Sequence, residues 1–364
     1  MSFPSMDYSY FFVIVILLAT LAYTSNSLSP LTVFSQDSNT DYNGSKSIYI
    51  PQTISKESQD FLKDFSQYAS VLVTPSPDNL KEWQNLNQQI TPMFSEMSKP
   101  IVDIYQPNVS ATELGGVKVI DIKPKDWIED DKVLVFVHGG GFTSLSANST
   151  LGFTVPVANK TGLHVISIDY SLAPTSKWNQ TTDEVLSVIQ ALVQDKGYSM
   201  NDIAMYGDSA GGNLVAGSVL KMRDNGMGIP AAIVLWSPWV DLTGKGDSYV
   251  TLEGDDPFSS YNSTLKNMAS AYANQSEQEI PYVSPIYGNF TKGFPPTLLQ
   301  VGTKEILLSD SVRLYQALEQ ADIPVKLDIY EGMPHVFQGY MFNTPESNIA
   351  IGKMSDFLYE HLKT

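Results

Sequence analysis

From about residue 115 onward, short apolar runs alternate with helical stretches, and this alternation leaves few architectures open. The runs GGVKVIDIKP, KVLVFVHGG, HVISIDY (164–170), DIAMYG, AAIVLWSP, PTLLQVG (296–302) and VKLDIYEG read as strands. Between them, DEVLSVIQALVQ (183–194) sets Val185, Ile189 and Leu192 on one helical face. Asp183 and Glu184 fall in its first turn, where the helix dipole favours negative charge. AGGNLVAGSVLKM, SVRLYQALEQA and SNIAIGKMSDFLYEHL read as further helices, the last with Ile351, Met354 and Leu358 in line. Several strands are apolar at every position, so both of their faces must be covered. The expected fold class is α/β: a mostly parallel central sheet with helices on both faces. A chain of 364 residues, 43% of them apolar, can bury such a core.

The flanks read differently. Tyr8 to Tyr23 is almost wholly apolar, short for a membrane span but suited to a secretory signal, with Thr20 and Ala22 as small residues for cleavage. No Lys or Arg precedes it and Asp7 is acidic, so an uncleaved signal-anchor is the alternative. Residues 1–23 are therefore expected to be a signal peptide or anchor, 24–46 a polar flexible linker, and 47–114 an N-terminal helical cap. Within the cap, Phe61, Leu62, Phe65, Tyr68 and Leu72 recur at helical spacing. Residues 115–364 form the expected main domain, interrupted by a loop-rich rim at 240–290.

Other features bound the function. Asn-x-Ser/Thr sequons at Asn43, Asn108, Asn148, Asn159, Asn179, Asn262, Asn274 and Asn289 fit a secreted or lumenal glycoprotein. Membrane association through the N-terminal segment is the variant of that reading. Cysteine is absent, which removes disulfides, thiolate zinc sites and cysteine nucleophiles. A net charge of −17 repels phosphate backbones, so nucleic acid is not an expected partner. The four histidines, at 138, 164, 335 and 361, form no HExxH pattern; neither a metal nor a cofactor is expected. Oligomeric state is left open.

Gly207-Asp208-Ser209-Ala210-Gly211 has the form G-x-S-x-G. A serine on a sharp strand-to-helix turn projects its hydroxyl from the sheet edge, and small residues two positions away let the backbone crowd there. A strand is expected before it and a helix after it. Ser248, in the second GDS of the chain, lacks the second glycine and falls in the loop-rich rim, so it reads as an ordinary loop serine. Upstream, VFVHGGGF (135–142) ends an apolar strand in three glycines. Unobstructed N–H groups there suit an oxyanion hole.

HGGGF, DYSLAP (169–174), GDSAGGNL, SPWVDLT (237–243), VSPIYG (283–288), VGTKEILLSD (301–310) and GMPHVFQ (332–338) occur in one order. In this the chain resembles the hormone-sensitive-lipase-like branch of the α/β-hydrolases over roughly residues 115–364. The resemblance implies the α/β-hydrolase fold and a serine carboxylesterase or lipase-like activity on a small-molecule ester, with short to medium acyl chains.

A serine nucleophile needs a base. His361 lies in the terminal helix near the chain end and is expected to be solvated; His164 opens a strand. His138 belongs to the glycine loop, where the resemblance gives it an organising role. His335 follows the strand VKLDIY and sits where strand ends gather, in the chain order serine, acid, histidine. His335 is the expected base. Two carboxylates in VGTKEILLSD are candidates for the acid: Glu305, just after Gly302 at the strand end, and Asp310, which reads as the cap of the next helix. The resemblance aligns the acid with Glu305, where many relatives carry Asp. The expected oxyanion donors are the N–H groups of Gly140, Gly141 and Ala210. Two other activities share these residues or this fold: amide hydrolysis or deacetylation, and ligand binding without turnover in relatives that have lost the histidine.

Overall fold

The computed structural model describes residues 49–68, 72–257 and 259–362. The apolar segment from Tyr8 to Tyr23, the linker 24–46 and the sequon at Asn43 lie outside the described residues.

Eight strands form one sheet: β1 (Asn108–Leu114), β2 (Val117–Lys123), β3 (Val133–Val137), β4 (His164–Ile168), β5 (Ile203–Asp208), β6 (Ala232–Trp236), β7 (Thr297–Lys304) and β8 (Val325–Pro334). Their spatial order is β1-β2-β4-β3-β5-β6-β7-β8. β2 pairs antiparallel with β1 and with β4. From β4 to β8 every pairing is parallel. The chain reverses direction of travel across the sheet between β3 and its neighbours β4 and β5, a switch point where open α/β sheets place their sites.

Alternation within the central strands divides two cores. Val133, Val135 and Val137 of β3 face one side; there they join Ile203 and Met205 of β5 and the helices α4 (Trp178–Gln194), α5 (Ala210–Asp224) and α8 (Leu308–Gln320). Leu134 and Phe136 face the other side with Ala204 and Tyr206; α3 (Leu151–Thr161) and α9 (Pro345–Leu362) cover them. Both faces are sealed, which is why β3 is apolar at every position and β5 up to its last residues.

Several boundaries differ from the sequence reading. β1 falls inside the range assigned to the cap, because its NVSATEL sequence is a solvent-exposed edge strand with little apolar patterning. α3 was not visible in the sequence: it carries Gly152 and Pro156 and is buried along most of its length, so it shows no amphipathic period. β7 continues through Gly302 to Lys304, so Glu305 directly follows the strand.

The cap proper is two helices, α1 (Lys56–Tyr68) and α2 (Leu80–Tyr105). Phe61 and Leu62 of α1 are buried with Met333 and Phe337, beside the end of β8. Between α1 and α2, Thr74 N donates to Ser263 O at 3.0 Å, and Thr264 Oγ1 donates to Leu72 O at 2.6 Å. These bonds tie the segment between α1 and α2 to the 240–290 rim. That rim contains the short helices α6 (Ser248–Thr251) and α7 (Lys266–Tyr272). No described helix is long and apolar enough to cross a membrane.

Candidate active site

Ser209 stands between β5 and α5 with φ 54° and ψ −121°. A non-glycine residue rarely takes this backbone, and two bonds hold it there. Ser209 N donates to Trp236 O at 2.9 Å, and Trp239 N donates to Ser209 O at 3.1 Å. The glycines on either side are required by crowding. A Cβ on Gly211 would stand 2.0 Å from Val137 O, and one on Gly207 would stand 2.5 Å from Gly211 O. Ser209 is half-buried while Asp208 and Ala210 are buried, so of these three residues the serine is the one that meets solvent. Its Oγ has no hydrogen-bond partner among the described residues, an arrangement common before substrate arrives.

The glycine loop follows β3, the strand that pairs with β5 in register Val137↔Gly207. Gly139 N donates to Asp208 Oδ1 at 2.9 Å, tying the loop to the residue before the serine. Gly140 and Gly141 take φ of 97° and 61°. The N–H groups of Gly140, Gly141 and Ala210 donate to no described residue, so three donors are left for a ligand. Phe142 stacks on Tyr272 of α7 with ring centroids 3.8 Å apart, closing the loop from the rim side.

His138 is fully buried, its ring 4.2 Å from the Tyr170 ring. Burial pushes its pKa down to about 4, against the pull of the Gly139 carbonyl and Asp169. The ring is thus neutral at pH 7, and its Nδ1 lies 2.8 Å from Gly139 O, where an Nδ1 proton would be donated. His138 fastens the loop rather than titrating.

His335 follows the last residue of β8. Its Nδ1 lies 2.9 Å from Glu305 Oε2. Burial works against the imidazolium; the Glu305 bond and charge, with Asp256 and Asp208, outweigh it and raise the His335 pKa above its ordinary value. Glu305 is fully buried, and its other oxygen, Oε1, accepts from Ser237 Oγ at 2.8 Å and from Gly302 N at 2.7 Å. Val336 N donates to Ser237 Oγ at 3.0 Å, and Ser237 lies between Trp236 and Trp239, whose backbone bonds hold Ser209, so the segment that carries His335 lies beside the serine turn.

The two acid candidates part company here. Asp310 lies inside the first turn of α8 rather than capping it, because the helix begins at Leu308. Its Oδ2 accepts from Asp241 N at 2.9 Å and Tyr249 OH at 3.1 Å, and it has no contact with His335. Ser248 also differs from expectation. It is buried at the start of α6, donates to Ile306 O at 2.6 Å and accepts from Ser309 N at 2.9 Å. It braces the residue after Glu305 and the start of α8, and these contacts from distant sequence are why a loop-like stretch hides a serine. His361 is half-buried against the Phe357 ring at 4.5 Å rather than fully solvated. His164 pairs with Asp121 at 3.0 Å at the opposite end of the strands.

Two residues of the site were not singled out in the sequence. Ser237 bridges Glu305 and the His335 loop, since its Oγ also accepts from Val336 N at 3.0 Å. Asp208 carries the glycine loop; burial raises its pKa to about 7, opposed by the Gly139 N–H and by His335. A carboxylate ending the apolar run IAMYG was the visible sign of it. Among the described residues, no three His, Asp or Glu side chains are grouped as metal ligands.

A family described as having the alpha/beta hydrolase fold matches residues 134–339. A protein named esterase from Acinetobacter venetianus is 31% identical, over 78% of this chain and 91% of its own length. A protein named acetyl-hydrolase from Streptomyces hygroscopicus is 29% identical, over 67% of this chain and 82% of its own. The crystal structure of an esterase from the bacterial hormone-sensitive lipase family superposes with a TM-score of 0.71 at 29% identity, covering 76% of this chain and 92% of that one.

Proposed function

The chain belongs to the α/β-hydrolase family and is a carboxylesterase-like hydrolase, and on that footing we propose that Ser209 is its nucleophile, His335 its general base and Glu305 the acid that orients the base. The observation that carries this reading is the Glu305–His335 pair set beside a strained serine turn with unengaged N–H groups around it. As Ser209 Oγ bonds to the ester carbonyl carbon, its proton passes to His335 Nε2. The N–H groups of Gly140, Gly141 and Ala210 hold the oxyanion. Collapse of the tetrahedral intermediate breaks the bond to the alcohol, which leaves with the proton from Nε2. Water then attacks the acyl-serine by the same route and releases the acid.

The acyl group in this proposal is short to medium, acetyl included; the relative named acetyl-hydrolase supports it. The proposal also takes the protein to be a secreted or lumenal glycoprotein, or one tethered by an uncleaved N-terminal anchor. Asn108, Asn148, Asn159, Asn179, Asn262, Asn274 and Asn289 are all exposed, as acceptor asparagines would be, whereas Asn213, outside any sequon, is buried. The test is turnover of p-nitrophenyl esters of increasing acyl length, beside the matching anilide, by the wild type and by Ser209→Ala. Loss of turnover by at least about 10³-fold in a folded Ser209→Ala variant is expected. Retained turnover would sink the assignment.

A further inference from the structure

The glycine loop is held from outside the sheet. Asn87, in the N-terminal third of cap helix α2, accepts Leu145 N on its Oδ1 at 2.9 Å. Thr91, one turn further along α2, donates its hydroxyl to the same Oδ1 at 2.6 Å, which fixes the orientation of the amide. Leu145 has φ 74°, a left-handed backbone that a leucine does not take without support. It stands directly against the glycines. A Cβ on Gly140 would meet Ser144 O at 2.3 Å and Leu145 Cγ at 3.0 Å, so the turn 140–145 has no slack. Ser144 N and Ser144 Oγ both donate to Gly140 O, at 3.1 and 2.9 Å. A displacement at Leu145 therefore reaches Gly140 within one tight turn. Ser98, further down α2, fastens the next stretch by accepting Gly152 N and donating to Ser149 O, each at 2.9 Å.

We infer that Asn87 is a positioning residue for the reaction: the cap, through Asn87, sets where the Gly140 and Gly141 N–H groups point. The inference rests on the reading of those groups as oxyanion donors. It makes the N-terminal cap part of the apparatus that stabilises the transition state and not only a wall of the acyl pocket. Asn87 touches neither substrate nor serine, so its contribution is to geometry. Donors that are displaced rather than removed lose part of their effect, and small misplacements are expensive in rate.

The experiment measures kcat and KM for p-nitrophenyl acetate, and the inhibition constant of a trifluoromethyl ketone, in Asn87→Ala, Asn87→Asp, Thr91→Val and Ser209→Ala. The ketone forms a tetrahedral adduct whose oxyanion needs the same donors. Asn87→Ala is expected to lower kcat about tenfold with KM within about twofold, and to weaken ketone binding by the same factor. Asn87→Asp keeps an acceptor for Leu145 N and should recover most of both losses. Thr91→Val should fall between the two. Wild-type kcat in Asn87→Ala, or equal losses in the alanine and aspartate variants, would overturn the inference; so would a loss confined to KM. If Asn87→Ala does not fold, the order Asn87→Asp above Thr91→Val in kcat and ketone affinity decides in its place. An active Ser209→Ala would instead undo the serine mechanism, which separates the two failures.

Discussion

Glu305 reaches His335 with one oxygen only: Oε2 meets Nδ1 at 2.9 Å, while Oε1 is occupied by Ser237 Oγ and Gly302 N. The carboxylate is thus locked before it orients the imidazole, and the histidine cannot rotate without breaking a buried bond. Glu305→Gln should lower kcat by about 10²- to 10⁴-fold. It should also move the acid limb of kcat/KM. A base works when neutral, so activity rises as pH passes through the His335 pKa. Glu305 helps hold that pKa above its ordinary value against burial, so removing its charge shifts the limb to lower pH. A pH–rate profile of both proteins checks the pair of effects. Asp310→Asn, which leaves His335 untouched, should change neither by more than about twofold.

Asp208 should give the fold a pH-dependent weakness. Its carboxyl has a pKa of about 7 in the folded protein against 3.8 ordinarily, so the folded state holds the proton more tightly. Stability from this group is complete below pH 3.8 and is lost as pH rises toward 7. Asp208→Asn keeps an oxygen for Gly139 N and removes the titration. Its melting temperature should exceed that of the wild type by a margin that widens from pH 4 to 7 and then levels off. A margin that shrinks over this range would contradict the assignment.

Ser237→Ala would leave Val336 N without its acceptor and free one side of Glu305. A buried group stripped of its partner costs about 1–3 kcal/mol, which denaturant unfolding would report. Because both sides of the acid–base pair loosen, kcat should fall about tenfold as well.

The second GDS sequence offers a contrast. Ser248→Ala should lower stability by about 1 kcal/mol through loss of its bonds to Ile306 O and Ser309 N, yet leave labelling by a fluorophosphonate intact. Ser209→Ala should abolish labelling with little change in melting temperature.

Gly211→Ala tests the crowding at the serine turn. The added methyl would meet Val137 O at 2.0 Å, and that atom is backbone within the sheet. A loss above about 3 kcal/mol, or failure to fold, is expected.

Most of the frame was readable because the physics is local. β3 and β6 are short runs apolar at every position, and Ser209 and His335 stand at the ends of strands where the pattern stops. Elements whose signal comes from neighbours were not readable. α3 is buried on nearly all sides and carries a proline; β1 is an edge strand with almost no apolar face. The choice between Glu305 and Asp310 could not be made from residue types alone, since both are carboxylates beside a strand end. Both are fully buried in the fold, and what separates them is the contact of Glu305 with Nδ1 of His335. Ser237 and Asn87 were invisible for the same reason: their hydrogen bonds span 99 and 58 residues.

The bond from Val336 N to Ser237 Oγ bears on the folding pathway as much as on the folded enzyme. It joins β6 to the residue after His335, and it can close only when β7 has already been inserted between β6 and β8. Contacts of such long sequence separation form late, after the entropy of large loops has been spent. During refolding, helical signal should therefore return well before ester turnover does. The hydrolase reports its own last step of assembly, and a chromogenic ester added to a refolding mixture would time the arrival of β8.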